Sequence, residues 1–224
     1  MINKIVGSLA EAVRDVPDGA TILLGGFAGA GYPMELIDAL VDQGARDLTM
    51  VANHAGRGDT DYAALILQKR VKRVVCSFPG PQGSWVFQKM YEAGEVELEL
   101  VPQGTLAERL RAGGAGLGGI LTPVGVGTEL AAGKQVVRVD GRDYLLELPL
   151  RGDFALVRAH RADRWGNLVY RKAGRNFNPV MAMAGRVTVA QVDEIVELGA
   201  IPAEDVHTPG IFVDRVVLTP RQAR

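Results

Sequence analysis

One cysteine, Cys76, stands in a chain of 224 residues, so no disulfide can form within it and packing must hold the fold. In RVVCSF that thiol lies inside an apolar run and reads as a buried structural group rather than a nucleophile. Net charge is nearly absent: 25 Lys and Arg stand against 26 Asp and Glu, which excludes a bulk field drawing the molecule to nucleic acid or an anionic membrane. No apolar run approaches the ~20 residues of a membrane span. The start, MINKIVGSLAEAV, has no long apolar core of a targeting segment, and a cytoplasmic protein is the expectation. His, Cys, Asp and Glu show no metal-ligand spacing, and there is no internal repeat.

Glycine is what the chain has in abundance, 28 residues, and the stretch from Asp18 to Pro33, DGATILLGGFAGAGYP, organises the rest. Asp18-Gly19 supplies a turn, Thr21 to Leu24 an apolar strand, and Pro33 suits the first turn of a helix. Between them Gly25, Gly26, Gly29 and Gly31 free the backbone for positive φ and for close approach of a ligand. Loop N–H groups and the following helix N-terminus favour an anion. Such turns also serve only to let a helix pack back on a sheet, and composition leaves both readings open. Two phosphate loops are excluded. Gly31 is followed by Tyr32-Pro33, not the Lys-Ser/Thr of a Walker loop, and no third glycine completes a dinucleotide fingerprint.

The length suits one α/β domain over residues 1–224. A helix opens at Ser8 with Glu11 as a possible capping box and stops at Pro17; a second carries the stripe Leu36, Ile37, Leu40, Val41 and ends at Gly44. Helices over Asp61–Lys69 and Ser84–Ala93 alternate with strands LTMVAN, Arg73–Ser77 and Val96–Val101. That alternation predicts a mostly parallel sheet with helices on both faces, its ligand at the carboxyl ends of the strands. The loops expected to converge there are the glycine turn, Asn53-His54-Ala55-Gly56, Ser77-Phe78 and Pro102-Gln103-Gly104. Thr105 to Glu108 reads as another capping box, opening a short helix that ends at Gly113-Gly114. Gly113 to Gly133 is too rich in glycine for long regular elements, and Asp140-Gly141 marks a hairpin between Gln135–Val139 and Arg142–Leu148. Together they predict a small β-rich lobe at about 113–150. Strands at Phe154–His160, Leu168–Arg171, Arg186–Val192 and Ile211–Leu218, a helix from Asn176 through Met183 and a frayed tail from Pro220 complete the reading.

The pattern Asp-Gly, two residues, three aliphatics, Gly-Gly-Phe, three residues, Gly, one residue, Pro resembles the signature of the first subunit of the family I CoA-transferases, and the chain meets it in full. The resemblance continues through VPQGTLAER, AGGAG, TPVGVGT and GDFALVRAHRADRWGNLVYRKAGRNFN, and so covers nearly the whole chain. VVCSFP, RWGNLVYRKAGRNFNPVMAMA and TPGIFVDRVV look closest to the first subunit of the enzymes for 3-oxoadipate rather than acetoacetate. It implies a fold like that of ribose-phosphate isomerase, a CoA thioester as substrate with no tightly bound cofactor, and transfer of CoA from succinyl-CoA to a 3-oxo acid.

In that family the attacking glutamate belongs to a second subunit, in a Ser-Glu-Asn-Gly motif that this chain lacks. Here Glu92, Glu95, Glu97 and Glu99 fall at helix ends or alternate along a strand, as solvated faces do. The resemblance therefore implies a partner, the second subunit of the CoA-transferase, in a heterodimer or heterotetramer. It assigns Gly25, Gly26, Phe27, Ala28, Gly29, Ala30 and Gly31 to CoA contact and Gln103 to the thioester. Asn53-His54 stands where the family often has Asn-Asn, and Gly125-Val126-Gly127 where it has Gly-Tyr-Gly. Asn53 and His54 are candidate substrate contacts; His54 could titrate near neutrality and touch a substrate carboxylate, although a lone loop histidine is more often solvated or structural. Arg57, Lys172 and Arg175 are the cations that could hold a second carboxylate. Two other readings stay open: the same exchange on acetoacetate, and a non-catalytic small-anion binder on this fold.

Overall fold

The computed structural model describes residues 2–80 and 83–219, so the tail expected from Pro220 lies outside the described residues. The chain runs α1 (Leu9–Val13), β1 (Thr21–Leu24), α2 (Met34–Gln43), β2 (Leu48–His54), α3 (Ala63–Leu67), β3 (Val71–Phe78), α4 (Trp85–Glu92) and β4 (Glu97–Leu100). It continues through α5 (Gln103–Ala115), β5 (Ile120–Thr122), β6 (Val136–Val139), β7 (Arg142–Glu147), β8 (Gly152–Ala162), β9 (Leu168–Val169), α6 (Asn178–Ala184), β10 (Gly185–Ile195) and β11 (Arg215–Leu218). The main sheet has the order β11-β10-β8-β1-β2-β3-β4, all parallel, with β9 pairing antiparallel to β8.

Both faces of this sheet are covered, as the apolar run of β1 requires. Ile22 and Leu24 join one core with α1 to α4, and Leu23 joins the other with Leu106 and Leu110 of α5 and Met181 of α6. Each such aliphatic, fully buried, contributes about 1.5–3 kcal/mol. Strands β1 to β4 step outward in one direction, whereas β8, β10 and β11 step outward in the other. The order therefore reverses beside β1, and a crevice opens at its carboxyl end, where the glycine loop begins.

Several local expectations are corrected. Glu11 Oε2 accepts from Gly7 N at 2.9 Å, not from Ser8, although Ser8 Oγ does cap Glu11 N at 3.1 Å. Helix α5 starts at Gln103 with Pro102 as its N-cap, so Gln103-Gly104 is helix rather than loop and Thr105 is buried in the first turn instead of capping it. It also runs through Gly113 and Gly114 to Ala115, because these glycines admit other backbone: a Cβ on Gly114 would lie 2.6 Å from Met183 Cβ, and one on Gly113 would overlap Leu150 O. The small lobe gains a third strand, giving the antiparallel order β5-β7-β6, and β11 begins only at Arg215 after a 3-10 turn at Gly210–Phe212.

Candidate active site

The glycine loop leaves β1 through Gly25, whose N–H donates to Leu156 O at 3.0 Å. Its tip is a tight turn in which Phe27 and Ala30 exchange backbone bonds of 3.0 and 2.8 Å, with Ala28 and Gly29 both at positive φ. The N–H groups of Ala28 and Gly29 have no partner among the described residues. The bare faces of the other glycines are occupied by the protein itself. Asn178 Oδ1 stands where a Cβ on Gly25 would be, the Tyr32 ring lies 2.6 Å from that of Gly26, and Gly174 O lies 2.7 Å from that of Gly31. Only Gly29 faces open space, so the accessible part of the cradle is the exposed tip, Phe27 to Gly29.

The N-terminus of α2 differs from the expected anion site. Gln191, fully buried, accepts from Leu36 N at 3.2 Å, and Glu35 brings a carboxylate to the first turn, so one amide of this helix end is already taken and a negative charge already stands beside it. What shapes the loop is a pair of asparagines whose sequence context marks only a helix start. Asn178 Nδ2 donates to Gly31 O at 3.0 Å and Gly174 O at 2.8 Å, while its Oδ1 accepts from Arg158 N at 2.9 Å. Asn176 Nδ2 donates to Ala30 O at 3.0 Å. Lys172 and Arg175, in the 3-10 turn that contains Gly174, are thereby carried to the edge of the glycine loop with their side chains exposed. Arg57 is exposed on the neighbouring loop.

The ends of β2, β3 and α5 meet through side chains, as expected of their loops. Gln103 Nε2 donates to Asn53 Oδ1 at 2.6 Å, and Ser77 Oγ donates to the same oxygen at 3.0 Å. Asn53 is 5% exposed and Gln103 is exposed. With its oxygen doubly engaged, Asn53 keeps its amide Nδ2 donors without a partner among the described residues, beside the free acceptor of Gln103. Donors held this way suit an oxygen on which charge develops.

His54 does not titrate near neutrality. Burial, and secondarily Arg57, push its pKa down to about 4, and its ring is packed between Tyr32 at 5.0 Å and Tyr62 at 6.2 Å. Nδ1 accepts from Gly56 N at 2.9 Å, which leaves the proton on Nε2, and the Tyr62 hydroxyl donates to His54 O. Asp61, unmarked in the sequence, sits at positive φ in the same cluster; burial raises its carboxyl to about 6. Cys76 is buried and its thiol is pushed up to about 12, an inert group. Glu95 pairs with Lys69 at 2.7 Å, Glu99 with Arg73 and Arg109, and Glu92 accepts from Gln88, all away from these loops. Among the described residues no group of three or more His, Cys, Asp or Glu could hold a metal ion, and no helix is long and apolar enough to cross a membrane.

Residues 6–219 match the family described as Coenzyme A transferase. The chain belongs to that family. Within it the chain is of the first-subunit type of family I: it is 56% identical to the first subunit of the 3-oxoadipate CoA-transferase of Pseudomonas putida over 217 residues, 97% of this chain and 94% of that one. It is 46% identical to the first subunit of a probable succinyl-CoA:3-ketoacid coenzyme A transferase of Bacillus subtilis, over 100% of this chain and 93% of that one. A crystal structure of an acyl-CoA transferase from E. coli O157:H7, a thioester complex with CoA, superposes with a TM-score of 0.85 at 25% identity. That match covers 99% of this chain and 48% of the solved one, so this family member spans about half the length of that polypeptide.

Proposed function

We propose that this chain is the first subunit of a heteromeric enzyme that moves CoA from succinyl-CoA to a 3-oxo acid, 3-oxoadipate, with a second subunit supplying the nucleophile. The observation that carries the reading is the Asn53–Gln103 pair, 2.6 Å apart and beside the glycine turn at the point where strand order reverses. It offers oriented amide groups and no nucleophile of its own.

The exchange proceeds by double displacement. A partner carboxylate attacks the succinyl thioester carbonyl and expels CoA thiolate, giving a mixed anhydride. The thiolate then attacks the glutamyl carbonyl, releasing succinate and leaving a glutamyl-CoA thioester. The acceptor carboxylate repeats the path in reverse, and the partner carboxylate is regenerated. Each addition places negative charge on a carbonyl oxygen, where the Asn53 amide and Gln103 act as donors or orient the attacking group; one such donor is worth about 3 kcal/mol. The turn Phe27 to Ala30 receives the CoA arm through its free backbone N–H groups, while Gly25, Gly26 and Gly31 set its shape. Lys172 and Arg175 draw the anionic substrates toward it. His54, neutral, packs between Tyr32 and Tyr62.

The identity to the Pseudomonas protein favours 3-oxoadipate, and that to the Bacillus protein, named for a 3-ketoacid, leaves room for a different 3-oxo acid, of which acetoacetate is the second reading. Co-expression with a second chain bearing Ser-Glu-Asn-Gly, followed by assay of both acids with succinyl-CoA, tests the proposal. Higher kcat/KM for 3-oxoadipate supports it. Preference for acetoacetate selects the second reading, and absence of transfer to either acid refutes both.

A further inference from the structure

The chain places a valine two residues before a polar side chain at three points of the site: Val51-Ala52-Asn53, Val75-Cys76-Ser77 and Val101-Pro102-Gln103. All three valines are buried in the core that α5 covers. Residues two apart on a strand share a face, so Asn53 and Ser77 continue the rows of Val51 and Val75 where β2 and β3 run out. The register pairs Ala52 with Cys76 and His54 with Phe78, which sets Asn53 beside Ser77. Gln103 opens α5 just beyond Val101. A polar row therefore closes an apolar one at the carboxyl end of the sheet.

Within that row Asn53 Oδ1 accepts from Gln103 Nε2 at 2.6 Å and from Ser77 Oγ at 3.0 Å, and the same hydroxyl lies 3.1 Å from the backbone Asn53 O. Among the described residues the unmatched side-chain polar atoms shut off from solvent are Tyr32 Oη, Thr105 Oγ1 and Arg161 Nε. Asn53 Nδ2 is unmatched too and is not one of these, so the 5% of Asn53 that is exposed includes its amide donors. Two carboxamides joined by one bond can turn over together and keep it, since their oxygen and nitrogen ends have nearly the same shape. Turned over, Asn53 would present an acceptor, the wrong sign for an oxygen gaining negative charge. A third contact is needed to fix the sense of the pair. Ser77 supplies it, and it is no nucleophile: both contacts of its hydroxyl are oxygens of Asn53, and no base touches it.

We propose that Ser77 is a positioning residue: its hydroxyl holds Asn53 Oδ1 inward and so keeps the Asn53 amide donors directed at the reacting carbonyl. The inference rests on the CoA-transferase reading and adds to it a group that acts through Asn53 alone.

The test uses the enzyme assembled with its second subunit, succinyl-CoA and whichever 3-oxo acid the parent prefers. Ser77→Ala is expected to lower kcat about tenfold, with KM for both substrates within about twofold of the parent. Ser77→Thr keeps the hydroxyl on a residue that suits a strand and should restore kcat. Asn53→Ala removes what Ser77 holds, so adding Ser77→Ala to it should change kcat by less than about twofold, whereas a purely structural serine would cost the same in either background. An unchanged kcat in Ser77→Ala, a loss that falls on KM instead, or a second loss of about tenfold in the Asn53→Ala background would overturn the proposal while leaving the enzyme a CoA-transferase. A parent that transfers CoA to no 3-oxo acid overturns the underlying reading, and the proposal with it.

Discussion

The carboxamide of Asn178 fills the space that a side chain on Gly25 would need: its Cγ lies 2.6 Å from the position of that Cβ. Gly25 is therefore required by a buried asparagine and not only by a ligand. Gly25→Ala should cost about 1–3 kcal/mol through overpacking. Asn178→Ala should cost about 2–4 kcal/mol, since it leaves Gly31 O, Gly174 O and Arg158 N unmatched. Urea unfolding measures both, and a rise in KM for the CoA thioester at unchanged acceptor KM would show that the loop has lost its shape.

The cluster of His54, Tyr62 and Asp61 predicts a pH signature with two opposing parts. His54 is held at about 4 against its ordinary 6.5, so the unfolded chain takes the proton more readily and stability falls as pH drops through that window. Asp61 is raised to about 6 from 3.8, so its contribution is present at low pH and lost as pH rises through 6. Between about 4 and 6 the two nearly cancel. Asp61→Asn should expose the histidine term, a loss of up to about 3 kcal/mol toward the acid end, and His54→Asn should leave a slope of opposite sign. Urea midpoints followed across this range decide it; identical profiles for parent and both variants would contradict the assignment.

Lys172 and Arg175 are exposed at the edge of the glycine loop, and the role proposed for them is attraction at long range. Replacing both with Gln should raise KM for 3-oxoadipate and acetoacetate by similar factors, and added salt should erase the difference from the parent, because exposed charges are screened over about 10 Å at 0.1 M. A loss confined to one acid and insensitive to salt would assign them a direct contact instead.

Gln103→Ala should lower kcat by about 100-fold with little change in KM, the mark of a donor used only as charge develops. Gln103→Glu should restore nothing, since it replaces the donor facing Asn53 Oδ1 with an acceptor. An unchanged kcat in the assembled enzyme would remove Gln103 from the mechanism and leave it as a tie for Asn53.

Much of the fold was legible because periodicity reports burial. The apolar run Ile22-Leu23-Leu24 named a strand covered on both sides, and the alternation of strands with helical stripes named the parallel sheet. The convergence of Asn53, Ser77 and Gln103 followed from their places at strand ends. The role of Asn178 did not, because it lies 147 residues from its partner Gly31 and no local pattern marks such a bond. A solvated or structural role was the commoner expectation for His54, and its burial followed from no local pattern because Tyr32 and Tyr62 close around it from other parts of the chain. Glycine misled in α5, where Gly113 and Gly114 read as a helix end and instead let α6 and Leu150 come close.

The proposed reaction divides the labour: this chain orients the thioester while its partner performs the attack. Mixing the assembled enzyme with succinyl-CoA, stopping the reaction in acid and weighing each chain intact by mass spectrometry tests it most directly. A CoA adduct on the partner, with this chain unmodified, is the predicted result. An adduct on this chain, or turnover by this chain alone, would contradict it.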